Sequence, residues 1–310
     1  MIVLQNSLWR VEILENIGMT VSQIYYQGIP LLYFPFSEKE YSINQSLAGI
    51  PLMYPFANRL SSWSFSLLNQ SVHLSKNQVL SDSNNLPIHG LILKSNEWKI
   101  IYQGPSGVEA EFCFVGKWKE VFPFSHCLKY LIQLFEKEVR FILIVIGIED
   151  TPVSFGFHPY FRLWQEKQNL QIALPTSKVI ELNPRLLPTG KLIPLEDFLI
   201  QHQIPFQKTE YYYIFSLNFS FDHGFLISDG ISQLNEGISI QLIQEKYKLQ
   251  LLLDSNYRVL QLYSPLIEEG KNFFCMEPMI AITNSFLDGG YGIVPKGNQK
   301  VFRFSLRVEN

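Results

Sequence analysis

Short segments in which every second residue is apolar constrain the fold of this 310-residue chain more than any other feature. In one such segment near the C-terminus the apolar positions are Phe302, Phe304, Leu306 and Val308. Residues 128–134 alternate in the same way, and a polar turn at 136–138 leads into an apolar run at 139–148. A period of two is typical of a strand with one buried face, so these segments predict paired strands.

A further hairpin is predicted for residues 238–253, with the polar residues 244–246 as its turn. Segments with helical spacing are scarce, and residues 195–201 are the best candidate for a short helix. No linker rich in proline, glycine or charge divides the chain. Together these patterns predict an all-β fold, a large antiparallel β-sandwich with few helices, and a single domain over residues 1–310. The polar stretch 75–85 is predicted to be a surface loop, and Asp229 a hairpin turn residue.

The balance of charge narrows the possible partners. Apolar residues make up 47% of the chain, charged residues 17%, and the net charge is −3. Because nucleic-acid binding depends on a positive surface and the lysines and arginines are scattered, we expect no nucleic-acid partner. The longest apolar run is shorter than the ~20 residues of a membrane helix. Residues 1–12 lack the apolar core of a secretory signal. We therefore expect a cytoplasmic protein with no membrane partner.

The cysteines Cys113, Cys127 and Cys275 are odd in number and lack C-x-x-C spacing. We therefore expect neither a disulfide framework nor a zinc site, and a reducing compartment. The sequence also lacks the HExxH, calcium-loop, GxGxxG, GxxxxGK[ST] and GxSxG motifs. It predicts neither a metal nor a cofactor.

His158 lies in the aromatic run at residues 155–161. Pro159 follows it and Gly156 precedes it by two residues, so we expect an unusual backbone path at a strand end. The structural alternative is a core histidine bonded to the backbone. The functional alternative is proton transfer, because the pKa of histidine lies near neutral pH.

Glu277 lies among sulfur-containing and apolar residues in the segment 273–279. Acidic side chains are seldom buried without a partner, so a salt bridge to an arginine is the structural alternative. The functional alternative is a general base. An acid and a base in apolar surroundings are what proton transfer near neutral pH requires.

Other polar residues are weaker candidates when taken alone. Arg59 follows Asn58, and a guanidinium offers a fork of donors that suits neighbouring hydroxyls, although an exposed arginine is usually solvated. His89 stands in a Pro-Ile-His-Gly sequence. Asp222 precedes a His-Gly pair, where a turn-forming aspartate is the alternative.

Five segments, in this order, resemble the aldose 1-epimerase (galactose mutarotase) family: residues 53–60, 86–90, 155–161, 221–225 and 275–284. The resemblance extends over nearly the whole chain and implies one large β-sandwich with a sugar site on a concave sheet face. It implies that His158 is the catalytic acid and Glu277 the general base. We expect these two side chains to face one open cleft, about one sugar ring apart.

The resemblance also implies that Arg59, with Asn58, and His89 bind the sugar, and that Asp222 accepts its hydroxyls. Tyr160 and Phe157 would form a platform for the apolar face of the sugar. The chain departs from the family pattern at 91–94, where many members continue with an HGFAR-like run, and after 188–190, where a frequent Asp/Phe-Arg sequence is missing. These departures bear on sugar specificity.

The reaction implied is interconversion of the α and β anomers of an aldohexose through ring opening. Glu277 would take the proton of the C1 hydroxyl and His158 would give one to the ring oxygen, which requires Glu277 ionised and His158 protonated before binding. The expected partner is a monosaccharide, no cofactor is needed, and the protein would be a monomer or homodimer.

The sequence leaves two alternatives to this reaction open. One is a hexose-6-phosphate mutarotase, which needs additional basic residues at the rim of the pocket. The sequence does not show whether any of four basic residues lies at that rim: Lys94, Lys117, Lys119 and Arg162. The other is a non-catalytic sugar-binding or sensing module of the same fold. Because such a module needs no proton-transfer pair, the presence of both His158 and Glu277 favours the enzyme.

Overall fold

Antiparallel strands dominate the computed structural model, which describes residues 1–164, 170–227, 237–245, 247–265 and 272–309. The strands within these residues are β1 (Ile2–Gln5), β2 (Trp9–Leu14), β3 (Thr20–Tyr26), β4 (Ile29–Pro30), β5 (Leu52–Met53), β6 (Ser64–Leu67), β7 (Gln70–His73), β8 (Leu80–Ser81), β9 (Pro87–Ile88), β10 (Lys99–Gly104), β11 (Gly107–Phe114), β12 (His126–Leu134), β13 (Val139–Gly147), β14 (Thr151–Val153), β15 (Gly156–Phe157), β16 (Tyr160–Arg162), β17 (Gln171–Leu174), β18 (Lys178–Leu182), β19 (Pro188–Pro194), β20 (Phe206–Lys208), β21 (Tyr213–Ser216), β22 (Asp222–Leu226), β23 (Ile238–Ile243), β24 (Lys248–Leu253), β25 (Val259–Tyr263), β26 (Phe273–Met279), β27 (Gly292–Val294) and β28 (Gln299–Glu309).

Helices in the described residues are short: α1 (Glu38–Ile43), α2 (Lys117–Val121), α3 (Leu195–Gln201) and α4 (Ser285–Asp288). None of them has the length and apolar character required to cross a membrane. The predicted all-β class with few helices is confirmed, as is the predicted helix at 195–201.

Two large sheets form the body of the fold. The ten-stranded sheet has the order β10-β11-β12-β13-β28-β24-β23-β17-β21-β20. The eight-stranded sheet has the order β19-β18-β22-β25-β26-β15-β5, and β16 also pairs with β26. A separate four-stranded sheet contains β1 to β4.

Burial alternates residue by residue along β12 and β13, as the sequence pattern predicts. The C-terminal strand β28 pairs with β13, with Phe304 opposite Phe141. The hairpin of β23 and β24 also forms as predicted. Lys246, in its predicted turn, and Asp229 lie outside the described residues.

Aromatic rings from both large sheets meet in the core between them. Phe157 of β15 packs against Phe304 of β28 with ring centroids 4.8 Å apart, and Phe155 packs against Phe302 at the same distance. Burial of apolar surface contributes roughly 25 cal/mol per Å², so this shared core is what holds the sheets together. One cluster of buried residues extends from Ile2 to Leu306, which supports our proposal that residues 1–310 form a single domain.

A disulfide joins Cys113 to Cys127, contrary to the expectation from the sequence. The two residues lie directly opposite each other on β11 and β12. Their spacing in the sequence does not reveal the pairing, because it depends on the register of two strands that are separated by α2. Cys275 is buried and takes no part in this disulfide.

Candidate active site

A cavity of about 270 Å³ lies on the face of the eight-stranded sheet opposite the core. Its walls are formed by Gln45, Leu47, Asn58, Arg59, Leu80, Ser81, Asp82, Ile88, His89, His158, Tyr160, Asp222, Tyr263 and Glu277. Small-molecule sites occupy about 300–1,000 Å³, so the cavity is close to the size required for one small ligand. It brings together the six residues expected to transfer protons or to bind the sugar hydroxyls.

Glu277 reaches the cavity because successive side chains on a strand point to opposite faces. On β26, Phe274 and Met276 enter the core between the sheets, whereas Cys275 and Glu277 point the other way. The Glu277 side chain is 2% exposed. Its Oε2 atom has no hydrogen-bond partner among the described residues, which leaves this oxygen available to a ligand.

His158 follows β15, and its amide N–H donates to the carbonyl of Pro51 at 3.1 Å. The imidazole ring stacks on Tyr160 with centroids 4.4 Å apart, and the Tyr160 hydroxyl lies 3.2 Å from Nε2. The same Nε2 atom lies 3.5 Å from Oε1 of Glu277. The two side chains therefore share one cavity, but they are in near contact rather than one sugar ring apart as expected.

Arg59 is fixed by three acceptors. Its Nε atom donates to Asp82 Oδ2 at 2.8 Å, and its Nη2 atom donates to Asp222 Oδ2 at 3.0 Å. Its Nη1 atom donates to Asn58 Oδ1 at 3.1 Å. That oxygen also accepts the Arg59 amide N–H at 2.9 Å, so the carbonyl of Asn58 is occupied in holding Arg59.

Asp82 was not among the residues expected from the sequence. Its Oδ1 atom accepts the amide N–H groups of Asn84 and Leu86, both at 2.9 Å, while Oδ2 binds Arg59. The surface-loop prediction for 75–85 is therefore wrong for Asp82 and for the buried Val79. The sequence gives no signal for this role, because the bond joins residues 23 positions apart.

Asp222 begins strand β22, and a residue of the adjacent strand β25 donates a hydrogen bond to it. Gln261 on β25 lies opposite Glu277 on β26, and Gln261 Nε2 donates to Asp222 Oδ1 at 2.7 Å. Both carboxylate oxygens of Asp222 are thus bonded, one to Gln261 and one to Arg59. Gln261 was also not expected. The signal in the sequence was a single polar residue inside the apolar strand 259–263.

Three residues around the site have left-handed backbone conformations: Asn58 (φ 57°), His89 (φ 67°) and Asn284 (φ 69°). Such conformations cost energy for residues other than glycine and are kept only where surrounding contacts impose them. Here the His89 amide donates to the Asn58 carbonyl at 3.0 Å, and the Asn284 amide donates to the Arg59 carbonyl at 3.0 Å. These bonds hold the loops that carry Arg59 and His89.

Gly90 is required next to His89 for two reasons. Its φ is 80°, and a Cβ atom there would lie 2.3 Å from the carbonyl oxygen of Tyr54. Gly28 has φ 82° but no atom within 4 Å of such a Cβ, so it provides a matched control. We expect Gly28→Ala to cost about 1–2 kcal/mol, the usual cost of a left-handed conformation. Gly90→Ala should lower the free energy of unfolding measurably more in denaturant titrations, and equal losses would contradict the role of the close contact.

Burial controls the protonation of the site. It raises the pKa of Glu277 far above 4.5, and the charge of Asp222 adds to this increase while Arg59 opposes it. Burial lowers the pKa of His158 well below 6.5, and His89 adds to that decrease. Burial also lowers the pKa of His89 to about 3, so its imidazole is neutral at physiological pH. Burial therefore favours the uncharged form of each side chain, which is protonated Glu277 and neutral His158.

Phe157 does not reach the cavity. Its side chain packs in the core against Tyr130 and Phe304, because it lies on the opposite face from His158. Of the two residues expected to form an aromatic platform, only Tyr160 lines the cavity. Within the described residues, no group of three or more His, Cys, Asp and Glu side chains is arranged to hold a metal ion.

The fold and the cavity define a class of antiparallel β-sandwich proteins with a histidine–glutamate pair in a cavity on one sheet, and comparisons identify the family. The model of the family described as aldose 1-epimerase matches residues 1–306, so the chain belongs to that family.

Solved structures show the same fold at low sequence identity. A galactose mutarotase-like protein from Clostridium acetobutylicum is 18% identical, with a TM-score of 0.80 over 99% of this chain and 94% of that one. A GalM/aldose epimerase homologue from C. elegans is 11% identical, with a TM-score of 0.79 over 100% and 98%. Galactose 1-epimerase from Lactobacillus acidophilus is 16% identical, with a TM-score of 0.69 over 99% and 93%.

Proposed function

We propose that the protein is an aldose 1-epimerase that interconverts the α and β anomers of an aldohexose by acid–base ring opening. His158 and Glu277 transfer the protons, and Arg59, His89 and Asp222 orient the sugar hydroxyls. Asn58 holds Arg59 in position through its side-chain carbonyl. A cytoplasmic location and a monomeric or homodimeric state stay predictions from the sequence.

The near contact of His158 Nε2 and Glu277 Oε1, at 3.5 Å, is the observation that carries this proposal. The reaction moves one proton off the C1 hydroxyl and one onto the ring oxygen. Since both oxygens are bonded to C1, the two proton-transferring atoms must also lie close together. General acid–base catalysis requires each of them within hydrogen-bond reach of its target, and this pair fits that geometry.

The proton balance of the pair favours ring opening. Before opening, Glu277 is ionised and His158 is protonated; afterwards Glu277 carries the proton taken from O1, and His158 is neutral. The ring has opened to an aldehyde, and rotation about the C1–C2 bond exposes its other face. Closure reverses both transfers. Because burial favours the neutral pair, it stabilises the opened state relative to the charged pair.

From the sequence we expected an ionised Glu277 and a protonated His158 before the sugar binds. The raised pKa of Glu277 and the lowered pKa of His158 favour the uncharged pair instead. The charged and neutral pairs hold the same single proton and differ by its transfer from Glu277 to His158. Sugar hydroxyls that donate to the carboxylate, together with the positive charge of Arg59, favour the charged arrangement when the sugar binds.

Two observations weigh against a hexose-6-phosphate as the substrate. Among the described residues that line the cavity, Arg59 is the one lysine or arginine, and three acceptors already bind it. Lys119 pairs with Glu149, and Arg162 donates to the Leu32 carbonyl at 3.4 Å. A sensing module is disfavoured because a binder has no need of a buried acid–base pair.

The direct test is the rate of anomer equilibration. Freshly dissolved α-glucose and α-galactose should equilibrate faster with the protein than spontaneously, as followed by polarimetry or exchange NMR. A protein that binds either sugar without any acceleration would support the sensing module instead. Preferential acceleration of a hexose 6-phosphate would support the other alternative.

The rate should depend on pH through the single shared proton. Because the pKa of His158 is lowered, the acidic limb of the kcat profile should lie below pH 6.5. Because the pKa of Glu277 is raised, the alkaline limb should lie above pH 4.5, where the pair loses its proton. Asp222→Asn removes a charge that raises the Glu277 pKa, so it should move the alkaline limb to lower pH. An unmoved limb would show that this limb does not report on Glu277.

A further inference from the structure

The ten-stranded sheet carries apolar side chains on the face that points away from the core, which we call the outer face. Strand β13 is apolar from Phe141 to Ile146, and its alternate side chains are only half buried. A strand with one face in solvent normally has polar residues at those positions. Six half-buried apolar residues lie on the outer face, and none of them packs against an apolar cluster of the described residues: Leu131, Ile142, Ile144, Ile146, Leu252 and Val301.

One row of side chains across the outer face has opposite charges at its two ends. Its members lie directly beside one another on β11, β12, β13 and β28: Glu109, Leu131, Ile142 and Arg303. The order along the row is therefore acid, apolar, apolar, base. Such an order is complementary to its own reverse.

Both charged ends of the row are available for an ion pair with another molecule. Glu109 has one ion pair within the described residues, at 3.4 Å from Lys129. The guanidinium of Arg303 has no hydrogen bond or ion pair to any residue that the structure describes. The carboxylate of Asp254, beside it, accepts the amide N–H of Arg303 at 2.7 Å instead.

A twofold axis parallel to the strands, between β12 and β13, would lay this row over its own reverse on a second copy. Symmetric dimers use the same surface on both subunits, so each contact occurs twice. Glu109 then faces Arg303 of the partner subunit, and Leu131 faces Ile142 of the partner subunit. In the adjacent row Lys129 faces Ile144 of the partner subunit, so like charges do not oppose each other.

The outer face is large enough for a stable pair. Strands β10 to β24 are six neighbours arranged symmetrically about that axis. Six strands at ~4.8 Å spacing and about eight residues at ~3.4 Å each cover roughly 780 Å². Stable interfaces bury about 800 Å² on each partner. Tyr102, which is 59% exposed, extends the charged row beyond Glu109 and would be covered as well.

We propose that the outer face is the interface of a homodimer in which the ten-stranded sheets of two copies pack face to face. Sheets that pack in this way keep their strands within about 30° of each other. The proposal is independent of the proposed function. The cavity of His158 and Glu277 lies on the other large sheet, on the side away from the core, so it stays open in this dimer.

The test is sedimentation velocity at protein concentrations from about 1 to 100 μM, the range of a moderate affinity. The wild-type protein should dimerise as its concentration rises. Glu109→Arg and Arg303→Glu each place like charges opposite each other at both ends of the row, so each should raise the Kd by about tenfold or more. An equimolar mixture of the two variants restores opposite charges at both ends, so it should dimerise as the wild type does.

Arg185→Glu provides a matched control, because Arg185 is exposed in the turn between β18 and β19, away from the outer face. This variant should keep the wild-type Kd, and circular dichroism should show that all variants are folded. A wild-type protein with the mass of one chain at every concentration would overturn the proposal. A dimer that neither charge reversal weakens would place the interface elsewhere. Variants that dissociate alone and stay apart in the mixture would reject the facing charges, and with them this arrangement.

Discussion

Glu277→Gln is expected to lower kcat by ~10²–10⁴-fold, the usual contribution of a general acid or base. Glutamine keeps the size and hydrogen-bonding reach of glutamate but cannot take up the C1 hydroxyl proton. KM should change little, because the lost interaction is one that is used in the transition state. Polarimetry of α-glucose and α-galactose measures both constants.

Glu138→Gln provides a matched control for this substitution. Glu138 is also a buried glutamate, but it binds Arg140 and Arg307 on the ten-stranded sheet, away from the cavity. Its substitution should reduce the free energy of unfolding and leave kcat unchanged. If Glu277→Gln is folded and retains wild-type kcat, Glu277 is not the base.

Arg59→Ala is expected to raise KM more than it lowers kcat. A hydrogen bond to a charged group contributes about 1.5–3 kcal/mol, which corresponds to roughly a ten- to hundredfold change in KM. Removing Arg59 also takes a positive charge from the site. Since that charge lowers the pKa of Glu277, the alkaline limb of kcat should move to higher pH, opposite to its shift in Asp222→Asn.

The effect of Arg59→Ala on the free energy of unfolding must be measured separately from its effect on sugar binding. Breaking a buried ion pair costs about 3–5 kcal/mol, and Arg59→Ala leaves both Asp82 and Asp222 without their cation. Arg59→Lys keeps the charge but not the fork of donors, so it should preserve the alkaline limb while KM rises. A KM unchanged in both variants would show that Arg59 does not contact the sugar.

The sequence by itself determined the fold class and half of the residues that line the cavity. Alternation at 128–134 and 302–308 predicted strands because a half-buried strand leaves one face in contact with the core, and that requirement is local. The segments around His158 and Glu277 were recognisable because each motif is contiguous.

Only the tertiary structure decided which of these residues act on each other. Asp82 and Gln261 were not expected, because their bonds to Arg59 and Asp222 join segments 23 and 39 residues apart. The Cys113–Cys127 pair depended on strand register, and the side of the sheet that Phe157 faces depended on which sheet packs over it. The pKa values of His158 and Glu277 also depend on the tertiary structure. Residues from distant parts of the chain bury both side chains, and this burial sets the desolvation energy that shifts the two pKa values.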